Sequence, residues 1–342
     1  MQKIKTAFFD IKETDQKFLE KNKPENCEFV YIQAPFHIGL DDNLEKIKDA
    51  EILSIFTSSR TSEELLKKLP NLKLITTRST GYNNVDLEYC KENGISVVNV
   101  PRYGDVTVAE FTFALLLNVI RKVNIAYKEL QQGSINLEKY TGNDLLGKTI
   151  GIIGTGAIGA YTAKIAYGFG MKILTYDPFP SEELKEKLGV EYVELEELFK
   201  KSDIISLHAP SRKENFHMIN EEAFSEMKDG VIIINTARGE IMDTNALYNA
   251  LKSGKVAGAG LDVLECEEII ANEELFLSKI DCVKKDCLEK TLINHKLLDM
   301  PNVIITPHIA FDTIEAVHRI LQTTVDNING YVQGNIINKI IC

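Results

Sequence analysis

The chain has 342 residues, of which 44% are hydrophobic and 26% charged, and its formal net charge is −11. The composition excludes a disordered or fibrous protein, and the length suits about two domains. An acidic surface repels nucleic acid and anionic membranes, the longest apolar run is too short to span a bilayer, and the first residues lack the apolar core of a secretory signal. We therefore expect a cytoplasmic protein without a nucleic-acid or membrane partner.

The six cysteines do not show the paired CxxC spacing of zinc or redox sites. A chain of this length does not need disulfide bonds to fold stably. We predict reduced thiols, mostly buried, and no metal site. Cys282 and Cys287 are the only two close enough in sequence to be watched as a pair. The other four are Cys27, Cys90, Cys266 and Cys342.

Two sets of strand-like runs follow one another along the chain. The first set lies in residues 4–9, 27–32, 51–56, 72–77 and 95–100 and alternates with polar segments of helical character. The second set lies in residues 148–154, 172–177, 202–210, 230–237, 256–263 and 302–308, and each run ends in a loop rich in Gly, Pro, Asp or His. This alternation predicts βα units around parallel sheets, in which ligands bind at the carboxyl ends of the strands.

Two further helices are predicted outside these sets. Residues 108–130 contain no proline and carry apolar residues at near-helical spacing, which predicts one long helix that bridges two domains and stops near Gly133. Residues 312–331 predict a helix in the tail, and if this helix packs on the first strands, both chain ends build one domain. The predicted domains are therefore residues 1–100 with 309–342, and residues 101–308.

A dinucleotide-binding pattern follows the first strand of the second set. Gly154, Gly156 and Gly159 form a G-x-G-x-x-G turn between that strand and a helix. The first glycine permits a tight turn, the second lets a pyrophosphate approach the backbone, and the third packs the helix against the sheet. The helix N-terminus then offers unpaired N–H groups to the phosphates. This context predicts a nucleotide site rather than a turn that serves packing alone.

Asp177 ends the next strand, near the spacing expected of a carboxylate that accepts hydrogen bonds from the adenosine ribose. No Lys or Arg follows in residues 176–183 to neutralise a 2′-phosphate, which favours NAD over NADP. The alternative is that Asp177 is only an exposed carboxylate at a strand end.

Three polar residues, Arg238, Glu267 and His308, follow apolar strands of the second set. A guanidinium binds a carboxylate through two parallel hydrogen bonds, and histidine is the side chain whose pKa lies nearest neutrality. A glutamate beside the imidazole would raise its pKa and keep the acid form available. The set suits reduction of a 2-oxo acid, with Arg238 binding the carboxylate and polarising the ketone and His308 giving a proton to the alkoxide.

Other interpretations of the first two residues stay open. Arg238 could form a structural ion pair with Glu240. Glu267 could be one of several solvated acids, because Glu265 and Glu268 flank it closely.

The proton donor also has alternatives. A lone histidine on an apolar segment is more often a satisfied core residue than a functional one, so the assignment of His308 depends on its partners. His208 is the second candidate. We rank it lower because its turn falls at the edge of the nucleotide site, where it would line the adenine.

The chain resembles the D-isomer-specific 2-hydroxyacid dehydrogenase family, and most closely its D-lactate dehydrogenase branch. The resemblance covers nearly the whole chain and rests on the motifs TTRSTGYNNVDL, VPRYGDVTVAEFTFALLL, GIIGTGAIG, YDPFP, SLHAP, INTARGE, GLDVLECEE and TPHIAF. It implies an α/β fold of two Rossmann-like domains, one flavodoxin-like and one dinucleotide-binding, with parallel sheets and the active site in the cleft between the domains. It also implies NAD as the cofactor and a homodimer, with the helix after Pro101 in the contact.

The resemblance implies roles for individual residues. Arg238 is the substrate and catalytic arginine, Glu267 supports His308, and His308 is the proton donor. Backbone N–H groups at Thr80 and Gly81 hold the substrate carboxylate. The implied cofactor contacts are Gly154, Gly156, Ala157, Ile158, Gly159, Asp177, His208, Ala209, Pro210, Asn215, Thr236, Ala237, Arg238 and Asp262, the last against the carboxamide.

The expected reaction is the reversible reduction of pyruvate to D-lactate, with larger branched or aromatic 2-oxo acids as the alternative. Phe56, Tyr103 and Phe311 are the predicted pocket wall, and one methylene changes binding there by only about 1–3 kcal/mol. Glu267 is not followed by the proline that many members carry, which fits the lactate branch.

Arg102 before Tyr103 and Asp312 after Phe311 replace the Ala and Tyr common in that branch, so the sequence leaves the substrate open. The segment between Glu267 and His308 is expected to be a long loop or helical. A function of another class, a non-enzymatic NAD-sensing protein similar to transcriptional corepressors, is less favoured because the chain lacks long disordered or basic extensions.

Overall fold

The computed structural model describes residues 3–267, 269 and 285–340 and divides the chain into two units. Unit 1 comprises Met1–Tyr103 and Thr313–Cys342, and unit 2 comprises Gly104–Asp312. The predicted domain boundaries, after residues 100 and 308, lie a few residues before these.

Unit 1 is built around a five-stranded parallel sheet with the order β2-β1-β3-β4-β5. Its strands are β1 Ile4–Phe9, β2 Cys27–Ile32, β3 Ile52–Ile55, β4 Leu74–Thr77 and β5 Ser96–Val98. Its first helices are α1 Glu13–Lys21, α2 Phe36–Ile47, α3 Glu63–Leu66 and α4 Leu87–Glu92. Alternate strand residues join two separate apolar clusters, as a sheet covered on both faces requires. The five predicted strands are confirmed.

The C-terminal tail forms a helix, Ile314–Val332, here called the tail helix, that belongs to unit 1. Its residues Leu321, Val325 and Ile328 are buried in one cluster with Phe8 of β1. The prediction that the tail packs back on the first strands is confirmed. Among the described residues, no helix has both the length and the apolar character that a membrane span needs.

Unit 2 contains a seven-stranded parallel sheet with the order β12-β11-β10-β9-β6-β7-β8. Its strands are β6 Thr149–Ile153, β7 Lys172–Tyr176, β8 Glu191–Tyr192, β9 Ile204–Leu207, β10 Val231–Asn235, β11 Val256–Leu261 and β12 Val303–Ile305. The strand order reverses between β6 and β9, the kind of crevice in which open α/β sheets bind nucleotides. The short β8 was not predicted, since two residues carry no periodic signal.

The helices of unit 2 are mostly the crossovers between its strands. They are α5 Asp105–Ile120, α6 Val123–Gln131, α7 Ala157–Gly168, α8 Glu182–Leu188, α9 Leu195–Lys201, α10 Glu221–Glu226, α11 Thr244–Ser253 and α12 Lys285–Leu298, with short 3₁₀ turns at Leu137–Tyr140, Lys213–Asn215 and Gly239–Ile241. Helix α12 lies in the segment between Glu267 and His308, as expected, while residues 268 and 270–284 of that segment lie outside the described residues.

The prediction of one long bridging helix over residues 108–130 is wrong. Helix α5 ends at Ile120, and Lys122 takes a left-handed conformation with φ of 53° before α6 begins. The carbonyl of Ile120 accepts a hydrogen bond from the backbone N–H of Asn143 at 3.2 Å, so it does not continue the helix. Apolar periodicity does not register such a break, because the long-range partner is unknown at the sequence level. Both helices lie within unit 2.

The prediction that all six cysteines are reduced is also wrong. Cys266 and Cys287 form a disulfide, with their Cα atoms 5.6 Å apart, whereas Cys27 and Cys90 are free and buried as expected. The pair to which the sequence pointed was Cys282 with Cys287, and Cys282 lies outside the described residues. The actual pair is 21 positions apart in the chain, and only the placement of α12 brings the two sulfurs together.

The tail helix provides a test of the discontinuous unit 1. Ile328 is fully buried in the tail-helix cluster, so Ile328→Ala leaves a cavity and is expected to reduce the free energy of unfolding by about 2–5 kcal/mol. Gln322→Ala on the exposed face of the same helix is the control, with an expected change within about 0.5 kcal/mol. Urea unfolding followed by circular dichroism measures both; equal stabilities would contradict this packing.

Candidate active site

Three neighbouring strands of unit 2 carry the polar residues that the sequence singled out. Arg238 follows β10, Glu267 follows β11 and His308 follows β12, and β10, β11 and β12 are adjacent in the sheet. Because the strands are parallel, their carboxyl ends lie at the same edge. The prediction that the three residues stand at successive strand ends is confirmed.

His308 and Glu267 are in direct contact. Nδ1 of His308 donates a hydrogen bond to Oε1 of Glu267 at 2.6 Å, and the backbone N–H of Leu264 donates to the other carboxylate oxygen at 3.0 Å. This bond sets the tautomer and leaves Nε2 as the nitrogen that can exchange a proton with a bound molecule. The His308 side chain is 33% exposed, so it is not a satisfied core histidine, and the Glu267 carboxylate is bonded rather than merely solvated.

Burial and charge act in opposite directions on the pKa of His308. Burial lowers the pKa, but the hydrogen bond and the negative charge of Glu267 raise it by more, so the pKa lies above its ordinary value. Arg238 is close enough for its charge to lower this pKa, and Asp262 raises it. The balance favours an imidazolium that is available as an acid near neutral pH.

Asp262 holds the loop on which His308 stands. Its carboxylate is buried and accepts hydrogen bonds from the hydroxyl of Thr306 and the backbone N–H groups of Ile309 and Ala310, at 2.5, 2.9 and 2.8 Å. Its own carbonyl accepts from the backbone N–H of His308 at 2.9 Å. Burial raises the pKa of Asp262 despite these bonds. This loop-holding role was not predicted; the contact of Asp262 with the carboxamide stays a prediction.

The hydrogen bonds of Asp262 support a strained backbone. His308 has φ of 54°, in the left-handed region that a residue with a Cβ atom rarely adopts. Cys266, directly before Glu267, has φ of 55°. Both partners of the His308–Glu267 pair are therefore attached to turns that need support from their surroundings.

Arg238 lies half-buried next to the same turns. Its Nη1 donates to the carbonyl of Ala237 at 2.6 Å, and within the part of the chain that the structure describes no carboxylate forms an ion pair with it. The alternative of a structural pair with Glu240 is therefore wrong. Gly239 packs so closely that a Cβ atom there would lie 2.2 Å from the carbonyl carbon of Leu264. The Arg238 loop and the turn before Glu267 are thus in backbone contact.

The glycine turn has the shape of a phosphate cradle. Gly154 has φ of +93°, and a Cβ on Gly159 would lie 2.0 Å from the carbonyl oxygen of Gly154, so both positions require glycine. A Cβ on Gly156 would meet no atom within 4 Å, which leaves open space above the N-terminus of α7, where Ala157 and Ile158 lie. The turn fits a dinucleotide pyrophosphate.

Asp177 is tied to this turn. Its Oδ2 accepts from the backbone N–H and the hydroxyl of Thr155 at 2.6 and 2.9 Å, and its Oδ1 accepts from the backbone N–H of Phe179 at 2.8 Å. These bonds fix the half-exposed carboxylate beside the glycine turn. A position there suits a ribose ligand, and the role of Asp177 in NAD preference stays a prediction.

His208 does not have the properties of an acid. Its Nε2 lies 2.8 Å from the hydroxyl of Ser206, its Nδ1 is buried without a partner among the described residues, and burial lowers its pKa to about 3. The ring is therefore neutral, which removes the competitor of His308. A Cβ on Gly154 would meet the His208 backbone, so His208 does lie at the nucleotide turn, as predicted.

The remaining predicted cofactor residues are spread over two loops of unit 2. The side-chain amide of Asn215 donates a hydrogen bond to the carbonyl of Pro210 at 2.8 Å and thereby shapes the loop that also contains Ala209. The hydroxyl of buried Thr236 lies 2.9 Å from that of Thr112 in α5, and Ala237 follows it into the Arg238 loop. Their contacts with a cofactor stay predictions.

Most of the predicted substrate residues lie in unit 1. Thr80 donates from its hydroxyl to the carbonyl of Val100 at 3.0 Å, and the carbonyl of Gly81 accepts from the hydroxyl of Ser79 at 2.6 Å, so this loop is held internally. Phe56 lies with its ring centroid 5.6 Å from the guanidinium of Arg78. Tyr103 also belongs to unit 1, whereas Phe311 belongs to unit 2 with Arg238 and His308. A shared pocket remains a prediction.

A buried charge cluster lies beside the turn from Leu264 to Glu267 and was not predicted from the sequence. Glu265, which it treated as a solvated acid, is 2% exposed and lies 2.6 Å from Nζ of Lys290 and 2.8 Å from Nε2 of His217. Nothing in the local sequence distinguishes Glu265 from its acidic neighbours, because its partners come from two distant segments.

Known proteins match this chain over nearly its whole length. The model of the D-isomer specific 2-hydroxyacid dehydrogenase NAD-binding domain matches residues 113–310, more than half of the chain. D-lactate dehydrogenase of Escherichia coli is 38% identical over 334 residues, 97% of this chain and 98% of that protein. An aromatic 2-oxoacid reductase of Clostridium sporogenes is 40% identical over 295 residues, 85% and 86% of the two chains. The structure of D-lactate dehydrogenase from Aquifex aeolicus, complexed with NAD and lactic acid, superposes with a TM-score of 0.84, 40% identity and 96% of both chains covered.

The matched range lies within unit 2, which holds the glycine turn and the polar residues at the ends of β10, β11 and β12. The predicted α/β fold class, the relation to D-lactate dehydrogenases and NAD as the cofactor are confirmed. The chain belongs to the D-isomer specific 2-hydroxyacid dehydrogenase family, and unit 2 contains the NAD-binding domain of that family.

Proposed function

We propose that this protein is an NAD-dependent D-2-hydroxyacid dehydrogenase that reduces pyruvate to D-lactate, reversibly. The observation that carries the proposal is the His308–Glu267 pair, 2.6 Å apart, within the electrostatic reach of Arg238 in an NAD-binding domain. These groups supply an acid, the carboxylate that tunes it and a cation for an anionic substrate.

Proton transfer is the part of the reaction that His308 performs. NADH supplies a hydride to the ketone carbon, and the oxygen that becomes an alkoxide must then receive a proton. The imidazolium of His308 gives that proton from Nε2, while Glu267 holds Nδ1–H and stabilises the positive charge. In the opposite direction neutral His308 accepts the proton from the hydroxyl group.

Arg238 has a binding role and a polarising role. Its guanidinium, free of a carboxylate partner among the described residues, can bind the substrate carboxylate and draw electron density from the ketone. The backbone N–H groups of Thr80 and Gly81 would hold the same carboxylate from the first domain. Binding of the carboxylate by Arg238 would orient the ketone toward His308.

The nucleotide site is assigned to the glycine turn and the loops around it. Gly154, Gly156, Ala157, Ile158 and Gly159 would bind the pyrophosphate, and Asp177 the adenosine ribose. Asp262 would contact the carboxamide. The loops that contain His208, Ala209, Pro210, Asn215, Thr236 and Ala237 would complete the site.

Pyruvate is preferred as substrate on the similarity to D-lactate dehydrogenases, whereas the similarity to an aromatic 2-oxoacid reductase supports the alternative of a larger side chain. Phe56, Tyr103 and Phe311 would form the pocket wall that decides between them. If these rings crowd the space for the substrate side chain, pyruvate is favoured. If Phe56 stands back from that space, branched or aromatic substrates are favoured.

We also infer a cytoplasmic homodimer. Val123, Tyr127 and Leu130 lie at helical spacing along α6 and are exposed, which gives that helix an apolar face. This helix follows α5 in the segment after Pro101 that the family places in the dimer contact. A second copy of the chain would cover it.

The proposed reaction is tested by following NADH oxidation with pyruvate, 2-oxoisocaproate, phenylpyruvate, glyoxylate and hydroxypyruvate. The expected result is fastest turnover of pyruvate with D-lactate as product. Fastest turnover of phenylpyruvate would assign an aromatic substrate instead. Tight NADH binding without turnover of any of the five would contradict an enzyme and favour an NAD sensor.

Removal of the proton donor should impair the chemical step. His308→Ala is expected to reduce kcat by ~10²–10⁴-fold, the range of a positioned acid. His318→Ala, which removes a ring stacked on Phe18 in unit 1, is the control and should keep kcat. A near-normal kcat for His308→Ala would assign proton transfer to another group or to water.

Glu267→Gln should shift the pH dependence. Without the carboxylate, His308 loses the largest influence that raises its pKa, while burial and the charge of Arg238 still lower it, so its pKa falls. Reduction needs the acid form, which is present below the pKa and lost above it, so the falling limb of kcat moves to lower pH. In oxidation the rising limb moves to lower pH as well. Glu240→Gln, an exposed glutamate nearby, is the control; an unmoved profile in Glu267→Gln would contradict the assignment.

A further inference from the structure

A buried ion cluster lies two residues before Glu267 in the chain. The carboxylate of Glu265 accepts from Nζ of Lys290 at 2.6 Å, from Nε2 of His217 at 2.8 Å, and from the hydroxyl and backbone N–H of Thr244 at 2.7 and 3.0 Å. The side chains of Glu265 and Lys290 are 2% and 9% exposed. Every lone pair of this carboxylate is used, so residue 265 is fixed from three sides.

The three sides are separate elements of unit 2. His217 follows the 3₁₀ turn Lys213–Asn215, Thr244 begins α11, and Lys290 lies in α12. None of these elements contains a residue that the proposed reaction uses directly, apart from the predicted cofactor contact of Asn215. The cluster is therefore a structural support for the turn from Leu264 to Glu267.

Helix α12 is attached to this turn at three successive points. Cys287 forms the disulfide with Cys266, Lys290 pairs with Glu265, and the amide of Asn294 donates to the carbonyl of Glu265 at 2.9 Å. Residues spaced by three and four positions lie on the same face of a helix. One face of α12 thus holds residues 265 and 266 together.

The turn needs this support because its backbone is strained. Cys266 has φ of 55°, and directly after it Glu267 bends back so that Leu264 donates to its carboxylate at 3.0 Å. Gly239 lies against the Leu264–Glu265 peptide and extends the contact to the Arg238 loop. A shift of residue 265 would move Glu267 relative to His308.

We propose that Lys290 is a positioning residue for the proposed reaction: its ion pair with Glu265 keeps the turn from Leu264 to Glu267 in the shape that holds Glu267 on His308. The proposal rests on the proposed function for its catalytic meaning. A buried ion pair contributes little to net stability compared with an apolar pair, so a role in geometry accounts for its presence better than a role in stability.

The charged groups around His308 and around Glu265 determine the sign of the change in the His308 pKa when Lys290 is replaced. His308 faces Glu267, Arg238 and Asp262. Glu265 faces Lys290 and His217, Lys290 also lies 3.2 Å from Asp286, and His217 lies 3.6 Å from Asp243. Loss of the Lys290 cation makes this region more negative, and by charge alone that would raise the pKa of His308. Loss of the Glu267 contact lowers the same pKa. Positioning and direct electrostatics therefore predict opposite shifts.

Lys290→Met is the test, read by NMR titration of ¹³C-labelled histidine rings in the full-length protein, with the His308 signal assigned through a His308→Asn variant. The expected result is a fall in the pKa of His308, since its carboxylate partner is lost. In the NADH assay, kcat for reduction at neutral pH should fall about tenfold, part of the whole contribution of a positioned acid. Lys290→Arg keeps a cation and should restore both values.

Two controls separate positioning from general destabilisation. Lys228→Met breaks a more exposed ion pair of unit 2, with Asp203 at 2.8 Å, and should leave the pKa of His308 unchanged even if Tm falls. In a Glu267→Gln background, Lys290→Met should cause no further fall in that pKa, because the contact is already lost and only the charge effect, which raises the pKa, is left.

A pKa of His308 that stays constant or rises in Lys290→Met would overturn the proposal, whatever happens to Tm. If Lys290→Met does not fold, Lys290→Gln removes the same cation with a smaller change of polarity, and the same fall in the pKa supports the proposal while a constant or raised pKa overturns it. The titration does not depend on turnover. A wild-type protein that reduces none of the 2-oxo acids would therefore contradict the proposed function and leave the positioning test decisive.

Discussion

The hydrogen bond between His308 and Glu267 is the interaction on which the rest of this site depends. Burial of an imidazole disfavours its charged form, and a carboxylate 2.6 Å away reverses that effect. The reversal works only while the two side chains stay in contact, since hydrogen bonds weaken steeply with distance and angle. The surrounding structure holds these two residues, which follow separate strands, in this contact.

The parallel sheet of unit 2 supplies the coarse placement. Strands β10, β11 and β12 are neighbours and run in the same direction, so the residues that follow them emerge at one edge. The fine placement comes from buried carboxylates. Asp262 binds the hydroxyl of Thr306 before His308 and the backbone N–H groups of the two residues after it, and Glu265 binds three elements around the turn before Glu267. Each supports a left-handed residue, His308 in one case and Cys266 in the other.

Residues of similar sequence context have different burial and different partners in the structure. His208 and His308 both follow strands in loops with a neighbouring proline, yet burial without a charged partner keeps His208 neutral, with a pKa of about 3. Glu265 and Glu267 are two positions apart, but the first is paired with Lys290 and the second with His308. The residue type limits the chemistry that a side chain can perform. The surroundings and partners of each side chain decide which of two identical residues has the properties for that chemistry.

The sequence by itself determined the strands other than β8, the glycine turn, the α/β class, and the identity of Arg238, Glu267 and His308 as a set, because these depend on local periodicity and on short motifs with a fixed geometry. Only the tertiary structure decided that the helix after Pro101 breaks at Lys122, that Cys266 bonds Cys287, and that Glu265 is buried on Lys290 and His217. Each of these features requires a partner from a distant part of the chain. Local patterns carry no information about which distant residues will meet, since the packing of the whole sheet and its helices makes that choice.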